Sequence, residues 1–318
     1  MKTINLFTIV TLSLFCTTYN AHAQFYMKRK AIENSDLKNA TIYVKYKELS
    51  DRQIEKFKKR NLLNEIKGQY DVENNLLKNT INDIWYSQNS VKKLSSIEIN
   101  NKISNGETVW YISLDKHYDK FFDRRIHKRN IYYNYAHYKL ALYKNKKEIL
   151  SVRLVSPGLS SLDLQFALNS IQRIINEKDS LNNPVRFVTK VNSNAGLILE
   201  KTLLVSENTT AYSQEYLQQF FKGKIKIVSE KEILQAIRNK DSNYAYLMVT
   251  INDHSDEPSF NYIILNCENN RPLLVYRNST AYVKPCNHTC IIHQKNERPE
   301  YLLGVHFKQF QKIINKSI

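Results

Sequence analysis

The chain has 318 residues and carries 47 Lys and Arg against 30 Asp and Glu, a formal net charge of +17. Such a balance favours anionic partners, including phospholipid or lipopolysaccharide surfaces, acidic glycans and nucleic acid, and it also suits a lysine-rich solvated surface. With only 6 glycines a phosphate-cradling loop has little to be built from, and the sequence has no P-loop, G-x-G-x-x-G, G-x-S-x-G or H-E-x-x-H, so the enzyme classes that depend on those motifs are not indicated.

Residues 1–23 have the form of a cleaved signal peptide. Lys2 supplies the positive start, residues 4–15 the apolar run, and Ala21-His22-Ala23 the small-x-small site before Gln24. Export is therefore expected, to the periplasm, the cell envelope or the exterior of a bacterium. No later run approaches about 18 apolar residues, so no transmembrane segment is expected in the mature chain. Export also makes nucleic acid an unexpected partner, and none of its usual binding motifs occurs.

Residues 24–40 are polar and read as a lead-in, and a strand is predicted at 41–44. Ser50 and Gln53 form a capping box ahead of a helix with Ile54 and Phe57 on its apolar face. Residues 62–84 show helical spacing in two pieces, parted by Tyr70-Asp71-Val72, and 84–86 are expected as a strand. Ser95 and Glu98 make a second box, followed by Ile99 and Ile103, a polar break at 104–107 and a strand at 110–114. A hairpin should pair 138–143 with 149–155, and Ser160 with Asp163 should cap a closing helix through Ile171 and Ile174. Residues 177–200 read as a linker with a further strand at 185–191.

The pattern then recurs. A strand at 202–205 leads to Ser213 as an N-cap, with Leu217, Phe220 and Phe221 behind it, and to a strand at 225–228. Ser229 and Glu232 form the third box, with Ile233, Leu234 and Ile237 on one face. A strand at 244–249, a hairpin pairing 262–267 with 273–277, and a helix through Phe310, Ile313 and Ile314 complete the chain, with Pro299 near the first turn of that helix. Glu98 and Glu232 stand at the same offset as Ile103 and Ile237. The predicted class is α/β with α+β-like mixed sheets: two tandem, diverged β-α-β-α-β-β-β-α units at 41–176 and 201–318.

Segments that the two halves do not share are where function is expected, because loops on a common scaffold often carry it. The first half has an insertion at 115–137, in which Arg124, Arg125, Lys128 and Arg129 interleave with Tyr118, Phe121, Phe122, Tyr132 and Tyr133. Read as a short helix, it places Phe122 and Ile126 on one face. Cations among exposed rings suit a headgroup layer, a sugar or an anionic polymer, and the alternative is that the rings pack on the unit's own core.

The second insertion, 278–298, holds Cys286, His288, Cys290 and His293. All four are chemically suitable zinc ligands, but their spacing fits no common zinc pattern. With Cys267 they leave three cysteines after cleavage, which predicts one disulfide, Cys286–Cys290 or Cys267 with either, and one free thiol. Asp115, His117 and Asp119, and again Asp253 and His254, follow predicted strands and could support acid–base or metal-assisted hydrolysis. No cofactor is expected. The sequence points foremost to a non-enzymatic, exported binding protein, with a hydrolase and a disulfide- or zinc-stabilised structural protein as alternatives.

Overall fold

The computed structural model describes residues 40–84, 91–123, 131–155, 159–176, 184–251, 260–278 and 304–318. They form two compact units, the first of residues 40–119 and 136–176, the second of 184–251, 260–278 and 304–318 together with 120–123 and 131–135 at the far ends of β3 and β4. The expected mixed α/β class holds, with ten strands among the described residues.

The first unit runs β1 (Ile42–Lys45), α1 (Asp51–Lys58), α2 (Leu63–Ile84), β2 (Val91–Leu94), α3 (Ser96–Ser104), β3 (Trp110–Asp123), β4 (Ile131–Lys144), β5 (Lys147–Leu154) and α4 (Ser161–Asn176). Helical crossovers return the chain parallel, so β1 is flanked by β2 and β3 and parallel to both, while the tight turn after β4 makes β5 antiparallel to it. The order is β2-β1-β3-β4-β5. Asn145 in that turn adopts φ 53°, a left-handed conformation that asparagine tolerates, and its Oδ1 accepts the Val109 N–H at 2.8 Å.

The second unit runs α5 (Pro184–Asn192), a 3₁₀ turn (Ala195–Glu200), β6 (Thr202–Ser206), α6 (Gln214–Gln218), β7 (Lys224–Val228), α7 (Glu230–Arg238), β8 (Tyr244–Ile251), β9 (Phe260–Asn266), β10 (Pro272–Asn278) and α8 (Gly304–Asn315). β6 is parallel to β7 and β8, and β9 is antiparallel to β8 and β10. The order β7-β6-β8-β9-β10 follows the same sequence of parallel and hairpin neighbours as the first unit. Ile42, Val44, Ile112, Leu140 and Leu142 are buried in one unit, and Leu203, Tyr246, Ile264, Phe307 and Phe310 in the other. Each such side chain contributes about 1.5–3 kcal/mol on burial.

The three predicted capping boxes, at Ser50, Ser95 and Ser229, are all formed. Ser160 and Asp163 also exchange hydrogen bonds, at 3.1 and 3.3 Å. Helices α3 and α7 end alike. Gly106 (φ 82°) and Lys240 (φ 50°) take the left-handed position, and the next N–H returns to Lys102 O and Ala236 O respectively. A left-handed backbone strains any residue with a Cβ, so Lys240→Gly is expected to stabilise the protein by about 1 kcal/mol, measured as a higher urea midpoint at unchanged slope.

Four expectations are corrected. Residues 63–84 form one helix, whose buried face carries Glu73 and Thr80 among Leu77, Ile81 and Ile84. Ile84 closes that helix instead of opening a strand, and the strand that pairs with β1 is β2. The predicted strand at 185–191 is helix α5: Pro184 occupies the first helical position, and packing against β10 overrides the β-branched composition. The described part of the 115–137 insertion is strand, not helix, in keeping with its aromatic composition.

Side-chain amides satisfy backbone groups on both outer strands of the second unit. Gln218 accepts the Ile225 N–H at 3.1 Å and donates to Phe221 O and Gly223 O, and Gln214 accepts the Ile227 N–H at 3.3 Å. On β10, Asn192 accepts the Val275 N–H at 2.8 Å and donates to Val275 O at 3.1 Å.

Candidate functional site

Pairing with β1 takes β3 as far as Ser113, and pairing with β5 takes up β4 only from Tyr138. Residues 114–123 and 131–137 continue as strand past those registers. Tyr118, Phe121 and Phe122 therefore lie in β3, with His117 and Asp119, and Tyr132 and Tyr133 lie in β4. Arg124, Arg125, Lys128 and Arg129 lie outside the described residues, as do Asp253, His254, Cys286, His288, Cys290 and His293.

Asp115 accepts a hydrogen bond from Ser113 Oγ at 3.1 Å. Near it Tyr111 and Tyr143 stack, ring centroids 4.9 Å apart. Burial and then the charge of Asp115 hold the Tyr143 phenol far above its ordinary range. On the neighbouring hairpin Lys139 Nζ pairs with Glu148 at 2.8 Å, which keeps that half-buried carboxylate ionised although burial opposes it. Asp115 thus sits among neutral phenols and a serine, a setting without a described base or leaving-group acid beside it.

A cleft of about 310 Å³ opens beside α2, lined by Gly68, Gln69, Val72, Glu73, Leu76, Tyr138 and Leu159. Its volume is at the low end for small-molecule sites. Sequence reasoning did not find it, because its polar centre combines residues far apart in the chain. Glu73 is buried and accepts from Tyr138 OH at 2.7 Å, from Gln69 Nε2 at 3.0 Å and from Lys47 Nζ. Burial pushes its carboxyl up, but Lys47, Tyr138 and Gln69 more than offset this and hold it below the usual carboxylate range. An ionised carboxylate with three donors cannot act as a general acid near neutrality, so the cluster ties α2 to β4 and to the segment after β1. Lys47 is itself fixed by Asn74, which exchanges two backbone hydrogen bonds with it, both at 3.0 Å. Asp115 does not line this cleft.

Cys267 is buried with a free thiol, and burial raises its pKa to about 12. The predicted bond through Cys267 is therefore not formed: the thiol lies sealed in the second unit's core. Among the described residues there is no disulfide, no group of His, Cys, Asp and Glu arranged to hold a metal ion, and no helix long and apolar enough to cross a membrane.

No family model, no curated protein and no solved structure matches the chain.

Proposed function

We propose that the protein is an exported binding protein, not an enzyme, and that segment 115–137 engages an anionic partner: a membrane surface, lipopolysaccharide or an acidic glycan. One observation carries this reading. β3 and β4 run on past the registers they share with β1 and β5, so Tyr118, Phe121, Phe122, Tyr132 and Tyr133, with Lys116 and Lys120, are carried on two adjoining strands. Strands give rings fixed spacing, and cations exposed in the same segment would draw anions by a force that salt screens. The same reading takes the two halves as diverged copies of one unit. Their common strand order and the matched helix ends at Gly106 and Lys240 support it, and the insertion at 115–137 stands in the first half of the sequence alone. Export rests on the leader at residues 1–23.

Changing Arg124, Arg125, Lys128 and Arg129 together to Ser is expected to weaken retention on an immobilised acidic polysaccharide several-fold. Stability should move by no more than about 0.5 kcal/mol per site. The retention of the parent protein should fall steadily with added salt. Retention that ignores salt, or a quadruple variant indistinguishable from the parent, would overturn the proposal.

A further inference from the structure

Helix α1 is amphipathic, yet none of its residues is buried. Its apolar positions, Ile54 and Phe57, are only half covered, and Leu62 just beyond it is 37 % exposed. The capping box at Ser50 holds the start of the helix. At its other end the Leu62 N–H returns to Phe57 O at 3.0 Å through Asn61, which takes φ 56°. The corner between α1 and α2 is thus a built turn.

Arg52, Lys56, Lys58, Lys59, Arg60 and Lys67 are all exposed on and around this corner. A half-covered apolar edge set among exposed cations is the pattern of a helix that lies in a headgroup layer. The rings and branched chains enter the acyl boundary while the bases meet phosphates. A second copy of this chain is a poor occupant, because docking would bring together two corners that remain net basic after Glu48, Asp51, Glu55 and Glu65 are counted, in a chain of net charge +17.

We propose that the α1–α2 corner docks on an anionic phospholipid headgroup layer. It uses residues separate from the β3–β4 ribbon, so it stands or falls independently of the ribbon's role. The test is co-sedimentation of the full chain, the same in every arm apart from the named substitutions, with vesicles of phosphatidylglycerol and phosphatidylcholine or of phosphatidylcholine alone. The combined variant K56S/K58S/K59S/R60S should bind the anionic vesicles at least about tenfold more weakly than the parent. Leu62→Ser should bind a few-fold more weakly, with circular-dichroism melts confirming that both variants fold. The ribbon variant R124S/R125S/K128S/R129S is the fourth arm. If it alone loses vesicle binding while the α1 variant binds like the parent, the corner proposal fails and the ribbon reading survives. If the α1 variant loses binding and the ribbon variant does not, the corner proposal holds whatever the polysaccharide result. Equal binding to the zwitterionic vesicles, or vesicle binding that persists when the four bases are gone, would also overturn it.

Discussion

Replacing Glu73 with alanine is expected to cost about 3 kcal/mol of folding free energy, the low end for breaking a buried ion pair. The low end applies because the Lys47 side chain keeps 18 % of its surface in contact with solvent and can recover some hydration once its partner is gone. Tyr138→Phe removes one hydrogen bond to a charged acceptor and should cost about 1.5 kcal/mol. Changing Lys47 and Glu73 together to Met should cost less than Glu73→Ala alone, since the orphaned ammonium is then absent too and the apolar cleft beside Val72 and Leu76 gains a neighbour. Urea titrations of the four proteins measure this, and a Glu73→Ala variant within about 0.5 kcal/mol of the parent would show that the cluster does not anchor the unit. The pH dependence has a fixed sign. The folded carboxyl titrates below its unfolded value, so its stabilisation is present above about pH 4.3 and is lost as pH falls through the depressed folded value.

The second unit is expected to weaken in acid well before that. His306 is buried against Tyr262, ring centroids 4.3 Å apart, and burial lowers its pKa from 6.5 to about 4. Below pH 6.5 the unfolded chain takes up a proton that the folded chain refuses until about pH 4, so stability falls as pH drops through that window. Near pH 4.5 the loss should reach about 2.5 kcal/mol, at about 1.4 kcal/mol per unit of pKa. His306→Phe keeps an aromatic ring against Tyr262 and Tyr276 and has no proton to take up. Compared by chemical denaturation at pH 7 and pH 4.5, the variant should lose less stability between the two pH values than the parent, by about that amount. An equal acid sensitivity in the two proteins would remove His306 as the cause.

The parts of the fold set by short-range chemistry were legible in the sequence. Serine followed three residues later by Glu, Gln or Asp located the starts of α1, α3, α4 and α7, because a cap satisfies its own helix end with residues already adjacent in the chain. The hairpins β4–β5 and β9–β10 were legible through their polar turns. What failed depended on distant partners. Glu73 interrupts the buried face of α2, and beside the neighbouring Gln69 it takes Lys47 and Tyr138, brought in from elsewhere in the chain, to make its burial tolerable. Val185, Val188 and Val191 favour a strand locally, and the packing of α5 beside β10 decides otherwise. The candidate sites divide in the same way. A cluster of like residues such as 115–137 is visible by composition, whereas the cleft assembles from α2, β4 and Leu159 and leaves no contiguous signal.

The amides on the outer strands of the second unit bear on how it can associate. An exposed outer strand is a template on which another chain can add a strand, through backbone groups that any sequence possesses. On β7 the positions that would receive such a strand are already taken by Gln214 and Gln218, and on β10 Asn192 occupies Val275 while α5 packs alongside. Helix α6 therefore acts as a permanent stand-in for a sixth strand, and α5 guards the opposite flank. Edge-to-edge growth into fibrils, and capture of extended peptides by strand addition, are both disfavoured at these two flanks, so recognition by this unit falls to its side-chain surfaces, where partners can be told apart.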